Sequence, residues 1–192
     1  MKAEDHVVVL DFLPRGKSSG FKQEPIAQVL GTDYFTLLEV VPKEGVSLRA
    51  GDSLYVGKEE RDKVSYIKKR ISYDELTNNS IVELDKAIEK IMLANEQKFV
   101  EFFNISRPIT IKRHQLELLP GLGKKHMLEI IRQRDIKKFE SFADIEKRVH
   151  LMPNPLNIIV KRVLEEMQGK DEKHYLFVRP PSKKPGDFAE RN

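Results

Sequence analysis

Short runs of β-branched and aromatic residues, separated by Gly, Pro and Asp, fill the first part of the chain. Runs bounded by turn-forming residues in this way are typical of strands. They cover five segments, 6–13 (HVVVLDFL), 26–30, 34–41, 53–56 and 61–73, the last with only partial alternation of apolar and polar side chains. Five short strands in about seventy residues predict a small closed Greek-key barrel of the OB type over residues 1–78.

After residue 78 the apolar side chains recur at helical spacing. The positions that share this spacing are Leu84, Ile88, Ile91, Asn95, Phe99 and Phe102. Ser80 and Glu83 have the spacing of a capping box, so one linking helix is predicted over residues 79–104. Its aromatic end fits one buried stripe and is expected in the core rather than on a binding surface.

Two short helices are predicted on either side of the turn sequence PGLG, residues 120–123. Leu116 and Leu119 form the apolar face of the first helix. The corresponding face of the second helix consists of Met127, Ile130 and Ile131. Glycine at positions 121 and 123 permits a positive φ and lets another backbone approach closely.

The start of the second predicted helix is suited to an anion. The amides of Gly123, Lys124 and Lys125 have no intrahelical acceptor there, and the helix dipole favours negative charge. The two lysines add an attraction to phosphate that weakens as salt rises.

Positive charge is concentrated around this turn. The net charge is +4, and it divides into −1 for residues 1–78, −2 for 79–104, +6 for 105–138 and +1 for 139–192. The basic residues of the third segment include Arg113, Lys124 and Lys125. Such an excess attracts a polyanion, although a solvated basic face would have the same composition.

The turn resembles the helix-hairpin-helix motif of DNA repair and recombination proteins. The matching residues are Leu119, Pro120, Gly121, Leu122, Gly123 and Lys125, whereas Met127 stands where the family commonly has a small residue. The resemblance implies binding of a nucleic-acid backbone without sequence readout, through the amides at Gly121 and Gly123 and the Lys125 side chain. A tight corner between two helices, with Pro and Gly serving geometry alone, is the alternative.

A second, degenerate copy of the motif is predicted thirty-three residues further on. Residues 152–155 (MPNP) take the place of the first turn, and Val160, Val163 and Leu164 repeat the apolar face. Ser141 is the expected N-cap of its first helix. Leu156 replaces the second glycine and would crowd a phosphate, so this copy is expected to be mainly structural. Lys161 and Arg162 are placed on a shared basic face. Chance similarity of two helix pairs is the alternative for this segment, 105–170.

The loop after the first strand is long and basic. Arg15, Lys17 and Lys22 are candidates for following a phosphate backbone, and Phe21 is a candidate for stacking on a base. A solvated surface loop explains the same residues equally well. A nucleotide-binding phosphate loop is excluded, because Asp11 stands where its first glycine is needed.

At the other end of the chain, residues 171–192 predict a short strand over 174–178, followed by a Pro-rich tail. A plain flexible tail and a binding arm both fit the composition of that tail.

Several functional classes are disfavoured by what the sequence lacks. Cysteine is absent, so there is neither a disulfide nor a thiolate zinc site, and a cytoplasmic setting is expected. The apolar runs are too short to cross a bilayer. The five histidines stand apart, and no paired acidic motif accompanies them. We therefore expect a non-enzymatic protein with no cofactor or metal.

The order of barrel, linking helix, hairpin pair and Pro-rich tail resembles an archaeal family of uncharacterised proteins. That resemblance implies an OB-fold with a helix-hairpin-helix and predicted RNA or nucleotide binding. The sequence thus predicts an α+β protein that binds nucleic acid without reading sequence, with DNA or RNA left open. A protein-interaction scaffold, or a non-catalytic subunit of a nucleic-acid-processing complex, is the alternative. Steep salt dependence of binding would distinguish the two.

Overall fold

A computed structural model describes residues 3–16, 24–170 and 173–180. The strands in this part of the chain are β1 His6–Leu13, β2 Ile26–Gly31, β3 Leu37–Pro42, β4 Ser53–Tyr55, β5 Val64–Arg70, β6 Pro108–Thr110 and β7 Arg113–His114. The α-helices are α1 Asn78–Ala94, α2 Glu96–Ile105, α3 Lys124–Ile136, α4 Phe142–Arg148 and α5 Pro155–Met167. None of the described helices is long and apolar enough to cross a membrane.

The first five strands form one antiparallel sheet in the order β4-β1-β2-β3-β5. Placing β4 beside β1, after the hairpins β1-β2 and β2-β3, is a Greek-key arrangement. The expectation of a closed barrel was wrong, because β4 and β5 are the two edges of the sheet and do not pair within the described chain. The described sheet is therefore a curled half-barrel whose strand order remains compatible with an OB-like fold.

Both faces of this sheet are covered, which makes every position of β2 and β3 buried. The concave face encloses a small apolar cluster that includes Val9, Val29 and Val40. The opposite face contributes Leu10 and Leu30 to a second cluster, which continues through the helices. One face of the sheet therefore shares a core with the helices, and the concave face has a small core of its own.

The junction between the sheet and α1 is polar and fully bonded. The Gln28 side-chain oxygen accepts hydrogen bonds from the Thr77 amide and the Ser80 hydroxyl, each at 2.8 Å. Thr77, rather than the predicted Ser80, is the N-cap of α1, because its hydroxyl accepts from the Ser80 amide at 3.1 Å. Ser80 is buried and satisfies Gln28 instead.

The single linking helix predicted for residues 79–104 is two helices. Asn95 has φ −129° and ψ 35°, and it separates α1 from α2. Its side-chain amide donates to the Ile91 carbonyl at 3.0 Å, so it competes with the backbone for a helical acceptor. The aromatic residues after the break do lie in the core as expected, with Phe99 and Phe103 buried and Phe102 packed beside them.

The remaining helices surround this aromatic cluster. α3 packs on α2, and α5 lies against both α1 and α4. The side chains that α3, α4 and α5 contribute to the core include Ile130, Ile145 and Val163.

Residues 174–178 do not form the predicted strand. The amides of Leu176, Phe177 and Val178 donate to the carboxylate of Glu166, at 2.8, 3.0 and 2.9 Å. Since one buried carboxylate takes all three donors, the segment has no need of a neighbouring strand. The Arg162 guanidinium donates to the same carboxylate at 2.8 Å.

The end of this segment is attached to the sheet. The Arg179 amide donates to the Tyr34 carbonyl at 3.1 Å, and the Arg179 guanidinium lies 4.3 Å from the centre of the Tyr34 ring. Arg70 in turn donates to the Arg179 carbonyl at 2.5 Å. Residues 173–180 therefore link α5 to β5 and to the β2-β3 hairpin.

Candidate nucleic-acid interface

Residues 119–122 (LPGL) form a tight turn, and Gly123 follows it directly. The Leu122 amide donates to the Leu119 carbonyl at 3.1 Å, and Gly121 has φ +83°. Pro at the second position and a positive φ at the third are the features of a type II turn, which explains both residues. Leu119 and Leu122 are buried, and they anchor the turn to the core.

The predicted first helix is only a 3₁₀ turn, Gln115–Leu118. His114 caps it, because its Nδ1 accepts from the Leu116 amide at 3.1 Å while Glu117 accepts from the His114 amide at 2.7 Å. Burial, and secondarily the positive charge of Arg134, holds the pKa of His114 below its ordinary value. The imidazole is therefore neutral at pH 7, as an accepting Nδ1 requires.

Gly123 is the N-cap of α3, and no described residue around it requires a glycine there. Its φ of −91° and ψ of 176° are open to any residue. A Cβ built at Gly123 or at Gly121 would meet no atom of the described structure within 4 Å. Lys124 and Lys125, the first two residues of α3, are exposed, and the N-cap supplies no side-chain acceptor. The start of α3 is thus open to solvent, uncapped and positively charged.

The charge of residues 105–138 is not spread evenly. Of its basic residues, Arg132, Lys137 and Lys138 form ion pairs with carboxylates at 2.7, 2.9 and 3.5 Å. Arg134 donates to the Phe103 carbonyl and the Ser106 hydroxyl, and burial lowers its pKa. The others are exposed and form no ion pair with any described residue: Arg107, Lys112, Arg113, Lys124 and Lys125. The unneutralised charge therefore lies on β6-β7 and at the start of α3.

The second predicted hairpin region differs at the equivalent helix start. Ser141 caps α4 as expected, its hydroxyl accepting from the Asp144 amide at 3.0 Å. Asn154 caps α5 by accepting from the Asn157 amide at 2.9 Å, so part of its anion-binding capacity is already used. Arg162 does not lie on a basic face, because it is buried against Glu166.

The sheet contributes a second basic region. Arg15 is exposed at the end of β1, while Lys17, Phe21 and Lys22 lie outside the described residues. Gly16 has φ +70°, and a Cβ there would lie 2.5 Å from the Glu24 carbonyl oxygen, so backbone geometry alone explains this glycine.

An open depression of about 270 Å³ lies near the same end of the sheet, where β3 ends and β5 begins. The residues that line it are Lys43, Lys58, Glu59, Arg61, Val64 and Ser65. No group of His, Asp or Glu side chains among the described residues has the geometry of a metal site.

Comparison with known proteins identifies the family of the chain. The sequence profile of a family described as a protein of unknown function, DUF655, matches residues 3–179. The chain belongs to this family.

Two archaeal proteins are similar to this chain, one compared by sequence and one by structure. The uncharacterized protein MJ0038 of Methanocaldococcus jannaschii is 42% identical over 179 residues, which cover 93% of this chain and 81% of that protein. The crystal structure of Af1531 from Archaeoglobus fulgidus has a TM-score of 0.85 at 44% identity, covering 92% of this chain and all of that one. The expected membership of an uncharacterised archaeal family is therefore confirmed, and the helix-hairpin-helix assignment stays a prediction.

Sequence analysis did not single out two of the exposed cations, Arg107 and Lys112. A signal was available, because residues 107–113 (RPITIKR) contain three basic residues and no acidic one. The burial of Arg134 and Arg162 had no comparable signal, since their carbonyl partners belong to distant segments.

Proposed function

We propose that this protein is a non-enzymatic nucleic-acid-binding protein that holds the phosphate backbone at the turn preceding α3, without reading base sequence. In this proposal a phosphate accepts hydrogen bonds from the amides at the start of α3. Lys125, with Lys124 beside it, adds charge. The turn acts as a helix-hairpin-helix, although only one 3₁₀ turn stands in place of the first helix.

The observation that carries the proposal is Gly123. Neither its backbone conformation nor its surroundings call for a glycine, whereas the close approach of a second backbone does. The type II turn already requires a glycine at position 121, so Gly121 is weaker evidence for a bound backbone than Gly123.

The unpaired cations support a backbone ligand over a sequence-read one. Each phosphate neutralised on duplex DNA contributes about 0.9 to the slope of log affinity against log salt. If all the unpaired cations of residues 105–138 contact phosphates, the slope is roughly −4 to −5. In this proposal the sheet is a second contact surface, at Arg15 and the basic depression. Lys17, Phe21 and Lys22, which follow Arg15 in the sequence, stay candidates on sequence grounds alone.

The test is fluorescence anisotropy of labelled duplex DNA, single-stranded DNA and structured RNA across a salt series. Gly123→Leu places a bulky side chain over the helix start, and Lys125→Glu reverses one charge. Lys86→Glu is the charge-matched control, because Lys86 lies on the exposed face of α1 in a surface ion pair of little energetic weight.

Both site variants are expected to bind at least about tenfold more weakly than wild type, with the Lys86→Glu control within about twofold. The three nucleic acids compared at one salt concentration decide between DNA and RNA. Equal affinity in wild type and both site variants would remove the turn from the binding surface. Absence of nucleic-acid binding, together with salt-insensitive capture of a protein, would favour the scaffold alternative.

A further inference from the structure

A small β-ribbon directly precedes the turn. β6 and β7 pair with Thr110 opposite Arg113, so that Ile111 and Lys112 form the connection at the tip. The Ile111 side chain is as exposed as it would be in an extended chain. The described structure offers it no packing partner.

The base of this ribbon is fixed to the same 3₁₀ turn that leads into Gly121. The Arg107 amide donates to the Gln115 side-chain oxygen at 2.9 Å, and the Gln115 amide donates back to the Arg107 carbonyl at 3.1 Å. His114, the last residue of β7, is buried and caps that turn. The tip is therefore carried on a rigid base, and little conformational entropy remains to be lost when it binds.

The chemistry of the tip is unusual for a surface hairpin. Ile111 is followed by Lys112 and Arg113, with Arg107 at the base of the ribbon, and none of these cations is paired with a described residue. A single exposed apolar side chain is ordinary on a protein surface. An apolar tip surrounded by unpaired cations, with no carboxylate in residues 107–113, is complementary to stacked bases bordered by phosphates.

We propose that the β6-β7 ribbon inserts Ile111 into the minor groove of duplex DNA as a wedge, while Lys112 and Arg113 bind the phosphates on either side. This inference rests on the proposed function, because the turn must hold the same duplex. Apolar wedges of this kind enter between base steps, unstack them partly and kink the helix.

The dimensions of the ribbon suit this role. The three residue-to-residue steps from Pro108 to Ile111 span about 10 Å. The minor groove of B-form DNA is about 7.5 Å deep. The tip therefore reaches the base edges, and the long side chains of Lys112 and Arg113 extend back towards the phosphates. Duplex RNA has a wide and shallow minor groove, which gives a narrow wedge little to grip.

A wedge favours duplexes that are easy to unstack. Pyrimidine–purine steps and mismatches cost less to open than a stiff A-tract. The ribbon would thus direct an otherwise sequence-independent protein towards flexible or damaged duplex.

The experiment uses duplex DNA containing a fluorescent base analogue whose emission rises on unstacking, with anisotropy on the same sample. Ile111→Ala removes the wedge and keeps every charge. Val82→Ala is the control, because Val82 is likewise an exposed β-branched apolar residue, on α1 and away from the ribbon. Wild type and the control are expected to raise the emission. Ile111→Ala is expected to lose that rise and about tenfold in affinity, with an unchanged salt slope.

Several results would overturn the wedge. One is an equal rise in emission and equal affinity for Ile111→Ala and wild type, while Lys125→Glu still weakens binding; the proposed function then survives without the wedge. Preference for duplex RNA over duplex DNA is a second. Binding of anionic lipid vesicles that depends on Ile111, in place of DNA, is a third. Failure of wild type to bind any nucleic acid would instead overturn the proposed function itself.

Discussion

Replacing Gly123 by aspartate should make the protein more stable and, at the same time, a weaker binder. The backbone at this position has φ −91° and ψ 176°, and a new Cβ meets open space, so the folded state accepts the side chain without strain. Aspartate is among the preferred N-cap residues, because its carboxylate accepts from the amides of the first turn. Those amides belong to Lys125 and His126.

Three contributions set the size of the gain. Relative to glycine, an N-cap side chain adds a few tenths of a kcal/mol. Reduced freedom of the unfolded chain adds about 0.4–1 kcal/mol. A negative charge at a helix start adds about 0.3–1 kcal/mol at low salt. Since such terms do not add fully, we expect about 1 kcal/mol, or roughly 3 °C in Tm for a chain of this size.

Binding should change in the opposite direction. The carboxylate occupies the amides that the proposal assigns to phosphate, and its charge repels the ligand, so affinity should fall by at least about tenfold. Urea denaturation and anisotropy on the same preparation measure both effects. Gly123→Asn is the control, because it caps the helix without the charge and should retain more binding than the aspartate variant.

Because stability should rise while affinity falls, either measurement can refute this prediction. A Gly123→Asp variant less stable than wild type would show that the glycine is required by the fold. A stabilised variant that binds nucleic acid as well as wild type would show that the start of α3 is not the phosphate site.

Three further outcomes follow from buried polar groups. Glu166→Gln should lower the free energy of unfolding by about 3 kcal/mol, because the amide nitrogen of the new glutamine would face backbone donors. Urea denaturation measures the loss, and limited proteolysis tests whether residues 173–180 have become accessible. Lowering the pH below 6.5 should reduce the free energy of unfolding, because the pKa of His114 is depressed in the folded state and the unfolded chain takes up the proton first. Denaturation measured at several pH values should show a free energy of unfolding that depends less on pH in His114→Asn than in wild type. Arg148→Met should cost about 2 kcal/mol in thermal denaturation, since it removes donors to the carbonyls of Gln133 in the last turn of α3 and of Lys137 and Lys138 just after it.

Each of these has a contrary result. Unchanged stability and unchanged protease resistance in Glu166→Gln would mean that the packing of residues 173–180 does not depend on the Glu166 carboxylate. Equal pH slopes for wild type and His114→Asn would assign the titration to another group. Little loss in Arg148→Met, compared with the exposed control Lys147→Met, would mean that water replaces the guanidinium.

Local pattern was enough to place most of the fold. β1 was predicted with its observed bounds, since a run of apolar residues lies between turn signals. The helix starts at Ser141 and after Gly123 were likewise readable, because capping residues and helical spacing are properties of adjacent positions. The turn at residues 119–122 belongs with them, as Pro and Gly nearly determine its type.

The errors arose where distant partners decide the structure. Residues 174–178 look like a strand, yet Glu166 takes the amides that a neighbouring strand would have bonded. Arg162 was placed on a surface because a charged residue in an amphipathic helix usually lies there, and its burial depends on that same carboxylate. Asn95 fits the helical stripe by spacing, and only its bond to Ile91 reveals the break.

The link between residues 173–180 and the sheet can form only late in synthesis of the chain. Arg70 donates to the Arg179 carbonyl across 109 positions of sequence. At about 5–20 residues per second, synthesis separates these two residues by roughly 5–20 seconds. In the later part of that interval, from the synthesis of Phe99 and Phe102 until Phe177 follows, the aromatic surface that Phe177 covers stays open on the nascent protein. A nascent chain paused before residue 173 would therefore expose an apolar, aggregation-prone patch. We expect a chaperone to bind there.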